Sequence, residues 1–261
     1  MPGPYGDTYM RIPLIAANWK MYKTIAEAQA FVRELAASAK TLGRVDLVVA
    51  PPFTALTAAV EAAKSTPIAV AAQNLYFERE GAFTGEVSAR MIRDAGATHV
   101  IIGHSERRRL FGDTDEWVNR KLRAALNEQL TPIVCIGETL MERERGETLA
   151  VLDRQIKLGL DGASAEEIGA LVIAYEPVWA IGTGKNATAA EAGEAHAHIR
   201  RRLSAWFSPT AADRCRIQYG GSVKPDNIAE LIGLPDVDGA LVGGASLDVK
   251  SFTEIARRAA G

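Results

Sequence analysis

The chain has 261 residues, 48% of them hydrophobic and 24% charged, with a formal net charge of −2. That balance excludes a dedicated nucleic-acid binder, which carries a strong basic excess. The two cysteines, Cys135 and Cys215, stand in no CxxC or Cys/His pattern, which excludes a disulfide framework and a zinc centre and fits a reducing cytoplasm; no apolar run approaches the roughly 20 residues of a membrane span.

The first ten residues, MPGPYGDTYM, lack the apolar core of a secretory signal. Residues 1–10 are expected to be a disordered Pro/Gly leader, with Met10 as a second candidate start, and 11–261 a single domain. Strands are expected at 12–17 (IPLIAA), 45–50 (VDLVVA), 67–72 (PIAVAA), 99–103 (HVIIG), 132–137 (PIVCIG), 171–175 (LVIAY), 216–220 (RIQYG) and 239–243 (GALVG). Most are continuous apolar runs rather than alternating ones, as in strands buried on both faces of a parallel sheet.

Helix signals fill the gaps. TIAE at 24–27 fits a capping box, after which Ile25, Ala28, Val32, Leu35 and Ala39 share one face. SAEE at 164–167 and TAAE at 188–191 repeat the box, and Pro225 suits a first helical position. The arginine runs at 107–109 and 200–202 read as solvated helix faces. Eight strands, each followed by helix, with no linker or composition break, predict an α/β fold with a closed (β/α)8 barrel of eight parallel strands ringed by helices. An open doubly wound sheet has the same element order, but its GxGxxG turn is missing after the first strand.

In such a barrel the chemistry sits where strand C-termini meet the following loops. Asn18 and Lys20 follow the first strand, His104 and Glu106 the fourth, and Glu176 the sixth; YGGS at 219–222 and VGG at 242–244 close the last two. A carboxylate takes a proton, an imidazole donates or polarises, and an ammonium holds an anion. Glycine lets backbone N–H groups approach a ligand closely. The set predicts a small phosphorylated substrate and proton transfer at carbon, with no metal and no cofactor.

AANWKMY, IIGHSERR, AYEPVWAIGTGK and IQYGGSV, in that order along nearly the whole chain after Met10, together resemble the triosephosphate isomerase family. The resemblance implies the TIM-barrel fold and interconversion of dihydroxyacetone phosphate and glyceraldehyde 3-phosphate through an enediol(ate), in glycolysis and gluconeogenesis. It implies Glu176 as the base, His104 as the electrophile, held neutral by a helix N-terminus, Lys20 as the cation opposing substrate charge and Asn18 as its orienting neighbour. Glu106 matches a supporting carboxylate of the catalytic set, placing Lys20 and tuning the proton relay. Besides Asn18 and Lys20, the implied substrate contacts are Gly182, Ser222, Gly243 and Gly244.

Pro177 biases Glu176 away from helical geometry, so the extended strand persists to the carboxylate. By the resemblance, Pro177, Val178 and Trp179 form the first hinge of a lid. Ala180, Ile181, Gly182, Thr183 and Gly184 form its moving tip, and Lys185 opens a second hinge in which Asn186 departs from the usual threonine. Closure would exclude water from the enediolate. GAFTGE at 81–86 is similar to the family's protruding third loop, which implies a homodimer with Thr84 reaching the neighbour's Asn18 region, and no nucleic-acid or membrane partner.

Other motifs lead nowhere. GTGKN is no Walker loop, because Trp179 stands at the first glycine position and Asn186 at the final Ser/Thr. His196 and His198, two apart on a helix, do not share a face. Cys135 is expected to be packing. One rival reading is an aldolase-type barrel, which needs a Schiff-base lysine inside a strand. The other is a barrel that lost catalysis and serves as a binding or adhesive protein, which predicts damage to Lys20, His104 or Glu176.

Overall fold

The computed structural model describes residues 11–181 and 187–261. Eight strands close into one parallel barrel in chain order: β1 (Leu14–Asn18), β2 (Asp46–Ala50), β3 (Ile68–Ala72), β4 (His99–Ile102), β5 (Thr131–Ile136), β6 (Val172–Tyr175), β7 (Arg216–Tyr219) and β8 (Gly239–Val242). Every expected strand is present, with ends shifted by a residue or two. Closure is made by β1, which pairs with β2 from Leu14 opposite Asp46 and with β8 from Leu14 opposite Gly239.

The unbroken apolar runs have a two-sided cause. Side chains alternate across a strand, so Leu14, Ala16, Val48, Ile101, Ile133 and Leu241 fill the barrel interior. Their neighbours Ile15, Ala17, Val49, Val100, Val134 and Ile173 face outward beneath the helices. All five residues of β1 are buried.

The helices begin where capping chemistry places them. Glu27 accepts from the Thr24 N–H at 2.7 Å, Glu167 from Ser164 at 2.8 Å and Glu191 from Thr188 at 2.7 Å. A fourth box, Thr139 with Glu142, was not anticipated.

Three expectations need correction. On the first helix (Ile25–Ala39) the inward stripe is Ala28, Phe31, Val32 and Leu35, whereas Ile25, in the first turn, is half exposed. Pro225 is in a turn, since Asn227 bonds back to Lys224 through both its side chain and its backbone and the helix starts only at Ile228. The arginine runs are not simply solvated. Arg200 is 9% exposed and spends its guanidinium on Asp236, Asp238 and the carbonyls of Ala212 and Cys215. Arg108 ties the carbonyls of Gly103 and Cys135 to Asp115, bracing the turn before His104.

His196 and His198 are both buried and turn to different neighbours, as expected for residues two apart. His196 donates from Nδ1 to the Asp236 carbonyl, and His198 meets Asp153 at 2.6 Å. Among the described residues no group of His, Cys, Asp or Glu is arranged to hold a metal, and no helix is long and apolar enough to cross a membrane.

Candidate active site

Asn18, Lys20, His104, Glu176, Ser222, Gly243 and Gly244 line one cavity of about 360 Å³ at the C-terminal mouth of the barrel. They come from the ends of β1, β4, β6, β7 and β8, so only barrel closure brings them together. Glu106 stands behind this lining and bonds Lys20 Nζ at 2.6 Å.

Glu176 continues the line of β6, its N–H donating to the Ile136 carbonyl at 2.7 Å. The residue is 2% exposed. Oε1 lies 2.9 Å from His104 Nε2, and Oε2 accepts from the Ser105 N–H at 2.9 Å. The backbone beside it is crowded. A Cβ on Gly137 would lie 1.8 Å from the Glu176 carbonyl oxygen, and one on Gly220 would lie 2.9 Å from its Cγ. These glycines admit the carboxylate to the strand ends.

His104 is at once a site residue and a helix cap. It precedes the short helix Ser105–Phe111, and its Nδ1 accepts from the Glu106 N–H at 3.2 Å. An acceptor nitrogen carries no proton, so the proton is on Nε2, facing Glu176. Burial disfavours the imidazolium, while the Glu176 carboxylate favours it and holds the group above its usual range in this pose. Once Glu176 turns away, that support is gone and burial remains. For Glu176, burial raises the carboxyl, but His104, the Ser105 N–H and Lys20 outweigh it, and the group sits below the usual carboxylate range.

Lys20 has a left-handed backbone (φ 52°), and its N–H donates to Asn18 Oδ1 at 3.1 Å. Asn18 is thereby committed to shaping the turn that presents Lys20. Gly243 and Gly244 begin the 3-10 turn Gly244–Leu247, and a Cβ on Gly243 would lie 3.4 Å from Lys20 Cε. Ser222 follows β7 on the same rim.

After Glu176 the chain forms the 3-10 turn Val178–Ala180, with Pro177 and Ala180 buried and Ile181 at the cavity edge. Gly182, Thr183, Gly184, Lys185 and Asn186 lie outside the described residues, as does the 1–10 leader. Thr84 is exposed on the loop between β3 and β4.

Several residues at the site escaped the sequence reading. Glu138, fully buried, accepts from Trp179 Nε1 at 2.8 Å and from the Tyr175 hydroxyl at 3.1 Å. Arg143 stacks over Trp179 and pairs with Glu138 and Glu191. Gln73, just past β3, bonds the Lys20 carbonyl. Glu138 and Gln73 satisfy the same criterion of polar residues just past a strand that selected His104 and Glu176. Cys135 packs beneath Glu176, where burial and that carboxylate push its thiol up.

Residues 13–259 match the family model described as Triosephosphate isomerase. A triosephosphate isomerase of Carboxydothermus hydrogenoformans is 58% identical over 95% of this chain and 99% of its own length. One from Moorella thermoacetica is 58% identical over 94% and 98%. The crystal structure of triosephosphate isomerase from Bartonella henselae superposes with a TM-score of 0.85 at 40% identity, covering 94% of this chain and 97% of that one. The match runs from β1 through the last helix and takes in every strand that supplies the cavity: the chain belongs to the triosephosphate isomerase family.

Proposed function

We propose that this cavity interconverts dihydroxyacetone phosphate and D-glyceraldehyde 3-phosphate, with Glu176 moving the proton between adjacent carbons. Membership of the family makes the chain an isomerase. The observation that carries the assignment of roles is the shared cavity of Glu176, His104 and Lys20, with His104 carrying its proton on Nε2.

Glu176 removes a proton from the carbon beside the carbonyl, and the electron pair moves through the new C=C bond onto the carbonyl oxygen. The His104 Nε2–H donates to that oxygen, and the Lys20 ammonium offsets its charge. The hydroxyl proton on the first carbon's oxygen passes by way of His104 to the former carbonyl oxygen, that first C–O becomes the new C=O, and the same carboxyl returns its proton to the neighbouring carbon. To act, Glu176 must leave His104 and Ser105. The contacts that lower its basicity are then lost, while burial, which raises it, remains. Asn18 shapes the Lys20 turn and Glu106 positions the ammonium.

The phosphate is assigned to the backbone of Gly243 and Gly244, where the first N–H groups of a 3-10 turn lack acceptors within the turn, and to that of Ser222 on the same cavity wall. Gly182 is assigned to the same anion. Residues 177–185 are assigned as the lid. The buried hinge end, held by Trp179 on Glu138, supports this reading.

A homodimer is part of the same proposal. Met21 (93% exposed), Tyr22, Phe53 and Phe83 are large apolar residues left open on the loops after β1, β2 and β3, the last of which carries Thr84. Burying a fully exposed side chain of this size is worth about 1.5–3 kcal/mol, and the half-covered Phe53 and Phe83 contribute correspondingly less. Light scattering should give twice the 28.0 kDa chain mass. A cytoplasmic place in glycolysis and gluconeogenesis fits this substrate, with no nucleic-acid partner. An aldolase-type reading fits less well, because none of the eight described strands contains a lysine.

The test is a coupled assay with glyceraldehyde 3-phosphate on wild type and Glu176→Gln. The variant should lose about two to four orders of magnitude in kcat. Full activity in the variant removes the mechanism. An inert wild type with intact Glu176, His104 and Lys20 revives the binding-protein reading.

A further inference from the structure

The geometry points to Gln73 as a positioning residue that locks the left-handed backbone of Lys20 and so holds its ammonium in the cavity. The inference rests on the assignment of Lys20 to substrate binding made above.

Lys20 occupies a conformation that L-residues avoid, because Cβ crowds the following carbonyl. Lys23, three residues on, is also left-handed, at φ 76°. Such residues persist only where their surroundings over-determine them. At Lys20 both backbone polar groups are held by side chains. Asn18 Oδ1 accepts from its N–H at 3.1 Å, and Gln73 Nε2 donates to its carbonyl at 2.8 Å. The second N–H of the same amide donates to the Ala50 carbonyl, also at 2.8 Å. Ala50 is the last residue of β2, and its carbonyl accepts as well from the Trp19 N–H at 3.2 Å.

One amide thus fastens the turn after β1 to the end of β2 from the end of β3. Its orientation is forced, because only a nitrogen with two hydrogens satisfies two carbonyl oxygens. From the fixed backbone the Lys20 side chain passes Gly243 and ends on Glu106. Neither contact at the far end fixes the peptide plane from which the side chain starts. Gln73 does, and it does so without lining the cavity itself.

The test compares Gln73→Leu with Gln73→Glu, which keeps the size but replaces the donating amide by a carboxylate. Thermal midpoint and solution mass are recorded for each, so that loss of folding or assembly is separated from loss of placement. The folded variants should lose about tenfold to a hundredfold in kcat/KM. Inorganic phosphate should become a weaker competitive inhibitor in both.

The decisive measurement is a double-mutant cycle with Lys20→Ala. If Gln73 acts through Lys20, replacing Gln73 in the Lys20→Ala background should cost less than twofold further in kcat/KM and leave phosphate inhibition where Lys20→Ala put it. Equal losses in both backgrounds overturn the inference, as does unchanged kcat/KM in a folded Gln73 variant of unchanged mass. Failure of Lys20→Ala alone to weaken substrate or phosphate would instead sink the assignment of Lys20.

Discussion

His104 Nε2 lies 2.9 Å from Glu176 Oε1, while His104 Nδ1 accepts from the Glu106 N–H. The imidazole therefore has one tautomer, set from behind by its own helix. The carboxylate in front of it supports the charged ring, and burial opposes it. Glu176→Gln removes the support and leaves the opposition. Nitrogen-15 NMR should show Nδ1 unprotonated in wild type at pH 7.5, and the His104 pKa should move down in Glu176→Gln. An upward move would mean that the pair is not coupled as the contact implies.

Gly137 packs on the backbone of Glu176 so tightly that a methyl group would fall 1.8 Å from its carbonyl oxygen. Gln155 holds the same glycine from outside, accepting from its N–H at 2.7 Å. Gly137→Ala must therefore displace one strand end or the other. The expected outcome is destabilisation of about 1–3 kcal/mol in urea melts and a lower kcat in the folded fraction. Gly162→Ala, whose Cβ meets nothing but sits at φ 70°, is the control that should lose stability without losing kcat.

His196 is fully buried, and burial pushes it down to about 4 from the 6.5 of a free imidazole. Between those values the unfolded chain binds a proton that the folded chain refuses. The stability it contributes is complete above pH 6.5 and is lost as the pH falls toward 4. The loss should be on the order of 3 kcal/mol. Urea unfolding at fixed protein concentration from pH 7 to 4 should show this slope, and His196→Phe should flatten it.

Asp238 is 6% exposed and binds the guanidinium of Arg200, that of Arg11 and the Ile217 N–H. Its backbone carbonyl also accepts from Leu14 N–H at 3.0 Å, at the seam where β1 meets β8. Asp238→Ala leaves Arg200 with Asp236 and two carbonyls but removes its second carboxylate and the partner of the Ile217 N–H, and should cost about 1.5–3 kcal/mol. The thermal midpoint reads the loss. The kcat of the folded fraction should not change, since the pair lies away from the cavity.

Much of the architecture was legible in one dimension because its causes are local. A strand covered on both faces must be apolar at every position, so LIAA and VIAY announce themselves. A capping box is a hydrogen bond between residues three apart, so TIAE, SAEE and TAAE do too. Placing polar residues at strand ends then picked out Lys20, His104 and Glu176. Only tertiary structure could decide what depends on distant chain. Arg200 looked like a solvated charge until Asp236 and Asp238 arrived beside it, and Ile25 looked like core although the folded chain leaves it half exposed. Gln73 and Glu138 stand just past their strands and went unnoticed, because their partners Lys20, Tyr175 and Trp179 come from distant parts of the chain. Sequence determines which groups are present and how each short segment bends. Which side chains become each other's solvent is decided by closure, when eight strand ends converge and water leaves the space between them.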